Sequence, residues 1–488
     1  SVRQLYGTSL ALLTDLYQLT MAHGYWKEGL SDWESTFHLF FRENPFGSGY
    51  AVACGLEDAV AYLQGLRFQA DDLEYLSGLT GGDGKALFDP NFLKTLGELR
   101  FSCDVDAVPE GTVVFPHEPL IRLQGPLWQC QLVETALLTI INFQTLVATK
   151  AARVCQAAAG DMVIEFGLRR AQGIDGGVSA SRASFVGGCA ATSNVLAGKL
   201  LGIPTKGTHA HSWVMSFDSE QEAFDAYARA MPNNCVFLVD TYDTAEGVRK
   251  AVTVGKRLRQ EGHEMVGIRL DSGDLTQLSI EARRILDEGG FPDAAVVASS
   301  DLDEYRIEES KRRGGKINVW GVGTRMATAY DQPALGGVYK IGAIRKPGES
   351  WTPKIKLSNE PAKTTNPGIQ QVRRFRSASG AAADVIYDQE QGVAEPCRFV
   401  SLHDVQDAST IPADCEFEDL LVPLFRHGKL VANSPSLTEI QERARGQLAM
   451  FSDEVKRFQD PERYPVGLEQ SLHERKIQLM QAASTTSE

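Results

Sequence analysis

No run of about 18 apolar residues, the length that a membrane-crossing helix requires, occurs in the 488-residue sequence. Gln131, Glu134 and Asn142 interrupt one apolar stretch and Lys199 another, so no membrane partner is expected. Ser1 to Tyr17 contain Arg3 but no apolar core followed by a small-residue cleavage site, which makes the cytoplasm the expected location. Close cysteine pairs are missing too. The eight cysteines, at 54, 103, 130, 155, 189, 235, 397 and 415, form neither a Cys-x-x-Cys pair nor a Cys/His knuckle, so neither a disulfide framework nor a zinc site is indicated. Excess positive charge is absent: 49 Lys and Arg face 63 Asp and Glu, a net charge of −14, which argues against nucleic acid as a partner. The run Lys311, Arg312 and Arg313 is too short to alter this and reads as a solvated helix end. Internal repeats are lacking, and disorder is expected only from Ala482 to Glu488.

What is present is the balance of a globular chain, with 43% hydrophobic and 23% charged residues. A chain of this length exceeds what one core serves, so two or three units are expected. From about residue 160, short apolar runs end abruptly in polar or glycine-rich clusters: Met162 to Phe166, Val236 to Val239, Met265 to Leu270, Ala294 to Ala298 and Ile317 to Val322. Helical spacing over Glu220 to Ala230, Thr244 to Glu261 and Thr276 to Glu288 separates several of them. Such β-then-α alternation predicts an α/β fold, either a β/α barrel or a doubly wound parallel sheet, with the chemistry at the carboxyl ends of the strands. Residues 1–140 read instead as an α+β domain, with a helix around Asp15 to Tyr25, a mixed segment from Thr36 to Asn44, and extended pieces at Gly111 to Val114 and Leu120 to Leu123. Residues 141–340 carry the β/α rhythm. Residues 341–488 return to short strands and end in a charged helical segment from Leu437 to Arg457.

The strand ends carry the candidate chemistry. Glu165 to Gly173 places Phe166, Arg169 and Arg170 just after a strand, where an aromatic face can stack a flat ring and a guanidinium can grip a carboxylate or phosphate. Gly207-Thr208-His209-Ala210-His211-Ser212 holds two histidines two residues apart; if that stretch is extended they face one side, which raises metal binding, whereas His211 is alternatively a general base or nucleophile. Arg269 and Asp271, at i and i+2 before the turn at Ser272 and Gly273, share one strand face and suit an anion and ribose hydroxyls or Mg²⁺. Asp240 and Asp243 add carboxylates to the same rim, and Ser299 and Ser300 end another strand. Gly321-Val322-Gly323-Thr324 offers backbone N–H groups and a hydroxyl for a phosphate.

In type and order these runs resemble nicotinate phosphoribosyltransferases. The motifs are Leu13 to Gln18, Phe166 to Gly173, Thr192 to Gly198, Gly207-Thr208 with Ala210-His211-Ser212, Arg269 to Asp274, Gly321 to Thr324 and Leu335 to Lys340, a resemblance covering about residues 10 to 370 and fading beyond Gly368. It implies an irregular β/α barrel with an N-terminal α+β domain and a smaller C-terminal region packing on that domain. It also implies a homodimer with shared active sites. Nicotinate, Mg²⁺-bound phosphoribosyl pyrophosphate and ATP are the implied ligands. By the same resemblance, Tyr17 covers the pyridine ring from the partner subunit, Thr208 and Arg269 contact nicotinate, Thr324 is the phosphate-loop residue, and His211 is transiently phosphorylated; Ser300, Gly321 and Gly323 are expected to bind phosphate with Thr324. Asp271 is expected on the ribose side and Arg169 on the anion side, with Asp240 orienting the His211 imidazole.

The nearest alternative is a nicotinamide phosphoribosyltransferase. That family places an aspartate in the base pocket where Thr192 and Ser193 stand here, and a neutral pocket with Arg269 suits a carboxylate better. Quinolinate phosphoribosyltransferases are shorter and need a more basic pocket. A non-catalytic barrel has no reason to gather Arg, Asp, His and Gly-Thr at successive strand ends.

Overall fold

The computed structural model describes residues 9–358, 360, 363–377, 380–404 and 406–485. It divides into two compact units, one from residues 1–146 and 334–488 and the other from residues 147–333.

The first unit is made of both ends of the chain. Its seven-stranded antiparallel sheet runs in the order Thr352–Pro353, Val338–Arg345, Glu34–Phe40, Ile121–Pro126, Asp104–Ala107, Val422–Arg426 and Lys429–Leu430. Val422 and Phe425 therefore pair with Ala107 and Val105, although some 320 positions separate them in sequence. A six-stranded sheet formed between Gln370 and Glu469 packs a core of Phe375, Val385, Phe399 and Ile411. Beside it lies a fully buried ion pair, Arg374 with Asp384. Its remaining valences are met by Gln447 Oε1 at 2.9 Å, the Val113 carbonyl at 2.9 Å and the Tyr464 hydroxyl at 3.0 Å, which is the condition for burying such a pair without large cost. Burial and the Asp384 charge push the carboxyl of nearby Glu118 well up.

Two expectations at the carboxyl end are corrected. The helix Leu437–Ala449 stops eight residues short of Arg457, because Phe451 leaves it to pack edge-on against Phe115 and Tyr464 in the core. The expected disorder from Ala482 is replaced by a helix, Gln470–Thr485; residues 486–488 lie outside the described residues.

The second unit carries six parallel strands in the order Ala191–Thr192, Met162–Glu165, Val319–Val322, Ala295–Ser299, Gly267–Leu270 and Val236–Leu238. The helices Glu220–Ala230, Thr244–Gln260 and Leu275–Glu288 start at Ser219, Asp243 and Asp274, whose side chains accept N–H groups of the first turn. Between the two edge strands runs the segment 204–210. On one side it exchanges backbone bonds with Thr192; on the other the Leu238 N–H donates to His209 Nε2 at 3.3 Å, a side chain doing what a strand bond does elsewhere. The ring of strands is thus completed irregularly. Lys311 and Arg313 at the end of helix Glu304–Arg312 pair with Asp161 and Asp274, each at 2.7 Å. Among the described residues no helix is long and apolar enough to cross a membrane.

Candidate active site

The carboxyl ends of the parallel strands bring most of the expected residues to one rim. Arg269, with its side chain largely buried, donates from Nη1 to the Thr208 hydroxyl and to the His209 carbonyl at 3.3 Å, while Nη2 lies 3.7 Å from Asp271 Oδ1. Its Nε is buried without a hydrogen-bond partner. Burial, together with the charge of Arg169, pulls its pKa down against the pull of Asp271 and Asp240. Arg169 itself is exposed on the turn Leu168–Arg170 and makes no ion pair among the described residues. Two guanidiniums with spare donors therefore stand close enough for one charge to act on the other, an arrangement that an anion relieves.

Asp240 follows the strand Val236–Leu238. Its Oδ2 accepts the Asp271 N–H at 2.8 Å and the Ser272 hydroxyl at 2.6 Å, fixing the turn, and its Oδ1 is buried with no partner. Asp271 accepts the Ser299 hydroxyl through Oδ1. Its Oδ2 lies 3.7 Å from His211 Nε2, whereas His211 Nδ1 is 3.1 Å from the Thr241 hydroxyl. The expected orienting role of Asp240 is thereby corrected: Thr241 and Asp271 flank the imidazole, and Asp240 supports the backbone of Asp271. The two histidines do not share a side either, since His211 opens the helix His211–Met215 while His209 turns inward against Phe224 and Tyr227. Burial pushes the His209 imidazole down to about 4, consistent with a neutral ring that accepts from Leu238.

Gly321 serves a different end from the one expected. A Cβ there would lie 2.6 Å from the Phe166 ring, so this glycine is the floor on which Phe166 rests, and it is buried. Gly323 and Thr324 stay at the rim, and the Gly323 N–H and the Thr324 hydroxyl have no hydrogen-bond partner among the described residues. Ser300 is exposed with φ 114°, and Asp301 follows with φ 37°, both left-handed conformations that disfavour non-glycine residues. Arg325 braces this turn: it reaches Asp301 at 3.5 Å, Asp303 at 3.8 Å and Asp331 at 3.1 Å. Asp331 in turn binds Lys150, which pairs with fully buried Glu304 at 2.7 Å. Ser193 stands half-buried beside the strand Met162–Glu165, its N–H donating to the Glu165 carbonyl at 2.9 Å. Tyr17 belongs to the first unit, on the helix Leu16–Lys27, with nearly half its surface exposed.

Sequence reasoning gave no role to Glu165. Its buried carboxylate accepts the Ser181 hydroxyl at 3.0 Å, the Thr192 hydroxyl at 2.6 Å and the Gly167 N–H, tying the turn that carries Phe166 and Arg169 to the next strand. A carboxylate at the last position of a strand was the available signal. Among the described residues no cluster of three or more His, Cys, Asp or Glu side chains is arranged to hold a metal.

Comparison with known proteins decides the family. The profile described as nicotinate phosphoribosyltransferase (NAPRTase) N-terminal domain matches residues 12–142, and the nicotinate phosphoribosyltransferase C-terminal domain matches residues 369–476. The chain is 42% identical over 474 residues to a nicotinate phosphoribosyltransferase of Bacillus subtilis, covering 96% of this chain and 95% of that one. This chain belongs to the nicotinate phosphoribosyltransferase family. The human nicotinate phosphoribosyltransferase is 35% identical, covering 94% of this chain and 95% of its own length. The crystal structure of human nicotinic acid phosphoribosyltransferase superposes with a TM-score of 0.84 at 33% identity, over 96% of this chain and 99% of that one. Kinship with nicotinate phosphoribosyltransferases thus extends through the carboxyl-terminal region, where the motif resemblance had faded after Gly368.

Proposed function

We propose that the strand-end rim joins nicotinate to 5-phosphoribosyl 1-pyrophosphate, giving nicotinate mononucleotide and pyrophosphate, as a step in NAD synthesis. The observation that carries this reading is Arg269, held by Thr208 and His209 with Nε unsatisfied, within reach of the Arg169 charge and 3.7 Å from Asp271. A pyridine carboxylate meets the guanidiniums, and its ring has Phe166 at hand. The ring nitrogen attacks the anomeric carbon as the bond to pyrophosphate breaks, and Asp271 stabilises the positive charge that develops on the ribose. Ser300, Gly323 and Thr324 receive phosphate oxygens.

The residues fit a divalent cation. Mg²⁺ typically takes one or two carboxylates and completes its shell with water and substrate phosphate, and Asp240 Oδ1 is a buried carboxylate oxygen still lacking a partner. Asp240 and Asp271 would hold it, and when bound it neutralises charge on the leaving pyrophosphate. ATP enters through His211: with Nδ1 engaged by Thr241, Nε2 attacks the γ-phosphorus, the bond to ADP breaks, and water later hydrolyses the phosphohistidine. The working form is a homodimer in which Tyr17 of one subunit covers the base of the other. A cytoplasmic setting suits the eight free cysteines.

The deciding experiment supplies labelled phosphoribosyl pyrophosphate with nicotinate, nicotinamide or quinolinate in parallel. Labelled nicotinate mononucleotide as the dominant product is expected. Equal turnover of nicotinamide, or none with nicotinate, overturns the reading.

A further inference from the structure

A cavity of about 850 Å³ opens within the first unit. Its wall brings together Arg42, His117, His403, Arg463, His473 and Lys476. Lys476, on the helix Gln470–Thr485, donates to Asn366 Oδ1 at 2.9 Å and meets no carboxylate among the described residues. Arg42 Nε is buried without a hydrogen-bond partner. His117 sits in a left-handed conformation, φ 69°, a strained state for a non-glycine residue. Glu43, Asp460 and Glu462 also border the cavity, but they are exposed and pair with none of the three cations.

The charges work against one another. Burial pushes the Lys476 ammonium down to about 8, and burial with the charges of Lys476, Arg42 and His403 pushes His117 down to about 4. No carboxylate offsets either shift. Like charges around a void are unfavourable unless something of opposite sign enters, and donors already in place bind an anion without reorganisation. Arg42, Arg463 and a protonated Lys476 together exceed what one carboxylate neutralises, and the volume exceeds that of a bare inorganic phosphate.

We propose that this cavity is a second ligand site, which takes a multiply charged, phosphate-bearing small molecule through Lys476, His117 and His403. The proposal stands independently of the chemistry at the strand-end rim, since every residue it uses belongs to the first unit.

Inorganic pyrophosphate is the probe, titrated by calorimetry into the full-length protein. Two binding events per chain are expected, one weakened by Thr324→Val at the strand-end rim and the other, tenfold or more, by Lys476→Met. His403→Gln should weaken the second event as Lys476→Met does. Lys476→Met removes a half-buried ammonium that meets no carboxylate among the described residues, so without ligand its Tm should stay close to that of the parent. Histidine NMR supplies an independent readout: pyrophosphate should raise the pKa of His117 in the parent and leave it unmoved in Lys476→Met. Pyrophosphate binding unaffected by both Lys476→Met and His403→Gln, or a His117 titration indifferent to pyrophosphate, overturns the proposal. Absence of only the event sensitive to Thr324→Val would instead count against the reading of the strand-end rim.

Discussion

Asp240 Oδ2 accepts the backbone N–H of Asp271 at 2.8 Å, so one carboxylate sets the position of another. The Ser272 hydroxyl donates to the same oxygen and closes the turn. Asp240→Asn turns an acceptor-only group into one that presents an amide N–H, and it removes the charge on the unsatisfied oxygen. The expected result is a fall in kcat on the order of a hundredfold, with little change in the KM for nicotinate. An unchanged kcat in the folded variant would show that the turn needs no carboxylate.

Arg269 should govern which base is accepted. Arg269→Gln keeps a donor but loses the charge, so the preference for nicotinate over nicotinamide should shrink by tenfold or more. That corresponds to the roughly 1.5–3 kcal/mol of a hydrogen bond to a charged group. The check is the ratio of kcat/KM for the two bases. A ratio equal to that of the parent would place carboxylate recognition elsewhere.

The sequence carried much of this rim because parallel strands buried on both faces read as apolar runs that stop where chemistry begins. Glu220–Ala230 was visible from its spacing. What escaped was long-range. Nothing near Val422 says that it pairs with Ala107, and nothing near Phe451 says that Phe115 and Tyr464 draw it out of a helix. At the site, Gly321 looked like part of a phosphate loop because its motif is local, whereas its use beneath Phe166 depends on a strand more than 150 positions earlier. The same holds for Asp240, whose partner could not be read before the strands were laid side by side.

Acid should weaken the fold partly through His209. Its folded pKa, about 4, lies below that of an unfolded histidine near 6.5, so the folded state resists a proton that the unfolded chain takes up. The stabilisation is complete above the unfolded value and is lost as pH falls through the window down to about 4. The steepest loss is about 1.4 kcal/mol per pH unit for each such histidine. Tm measured as pH is lowered should drop less steeply in His209→Asn than in the parent. Identical slopes would mean that burial does not hold His209 neutral in the folded state.

Arg325 should act without touching substrate. It ties Asp301, Asp303 and Asp331 together beneath the strained Ser300 turn, so Arg325→Gln frees that turn to relax. The KM for phosphoribosyl pyrophosphate should rise several-fold more than that for nicotinate, and Arg325→Lys should recover part of the loss. Equal effects on both KM values would mark a general structural role.

Coupling to ATP should separate the two neighbouring histidines. His211 stands at the rim with Nδ1 against Thr241 and Nε2 open toward Asp271, whose negative charge favours the cationic imidazole formed on phosphorylation. His209 is buried, and its Nε2 is occupied by the Leu238 N–H. Wild-type protein should therefore take up acid-labile label from γ-labelled ATP, and His211→Ala should lose both the label and the stimulation by ATP. Some ATP-independent transfer should survive in that variant, because the imidazole takes no part in forming the glycosidic bond. His209→Asn should keep the label at reduced Tm, having lost only a structural acceptor. Replacing Thr241 by Val frees Nδ1 to compete as nucleophile, so labelling should slow without vanishing. Undiminished labelling in folded His211→Ala protein would remove His211 from the ATP step and leave transfer to nicotinate standing on Arg269 and Asp271 alone.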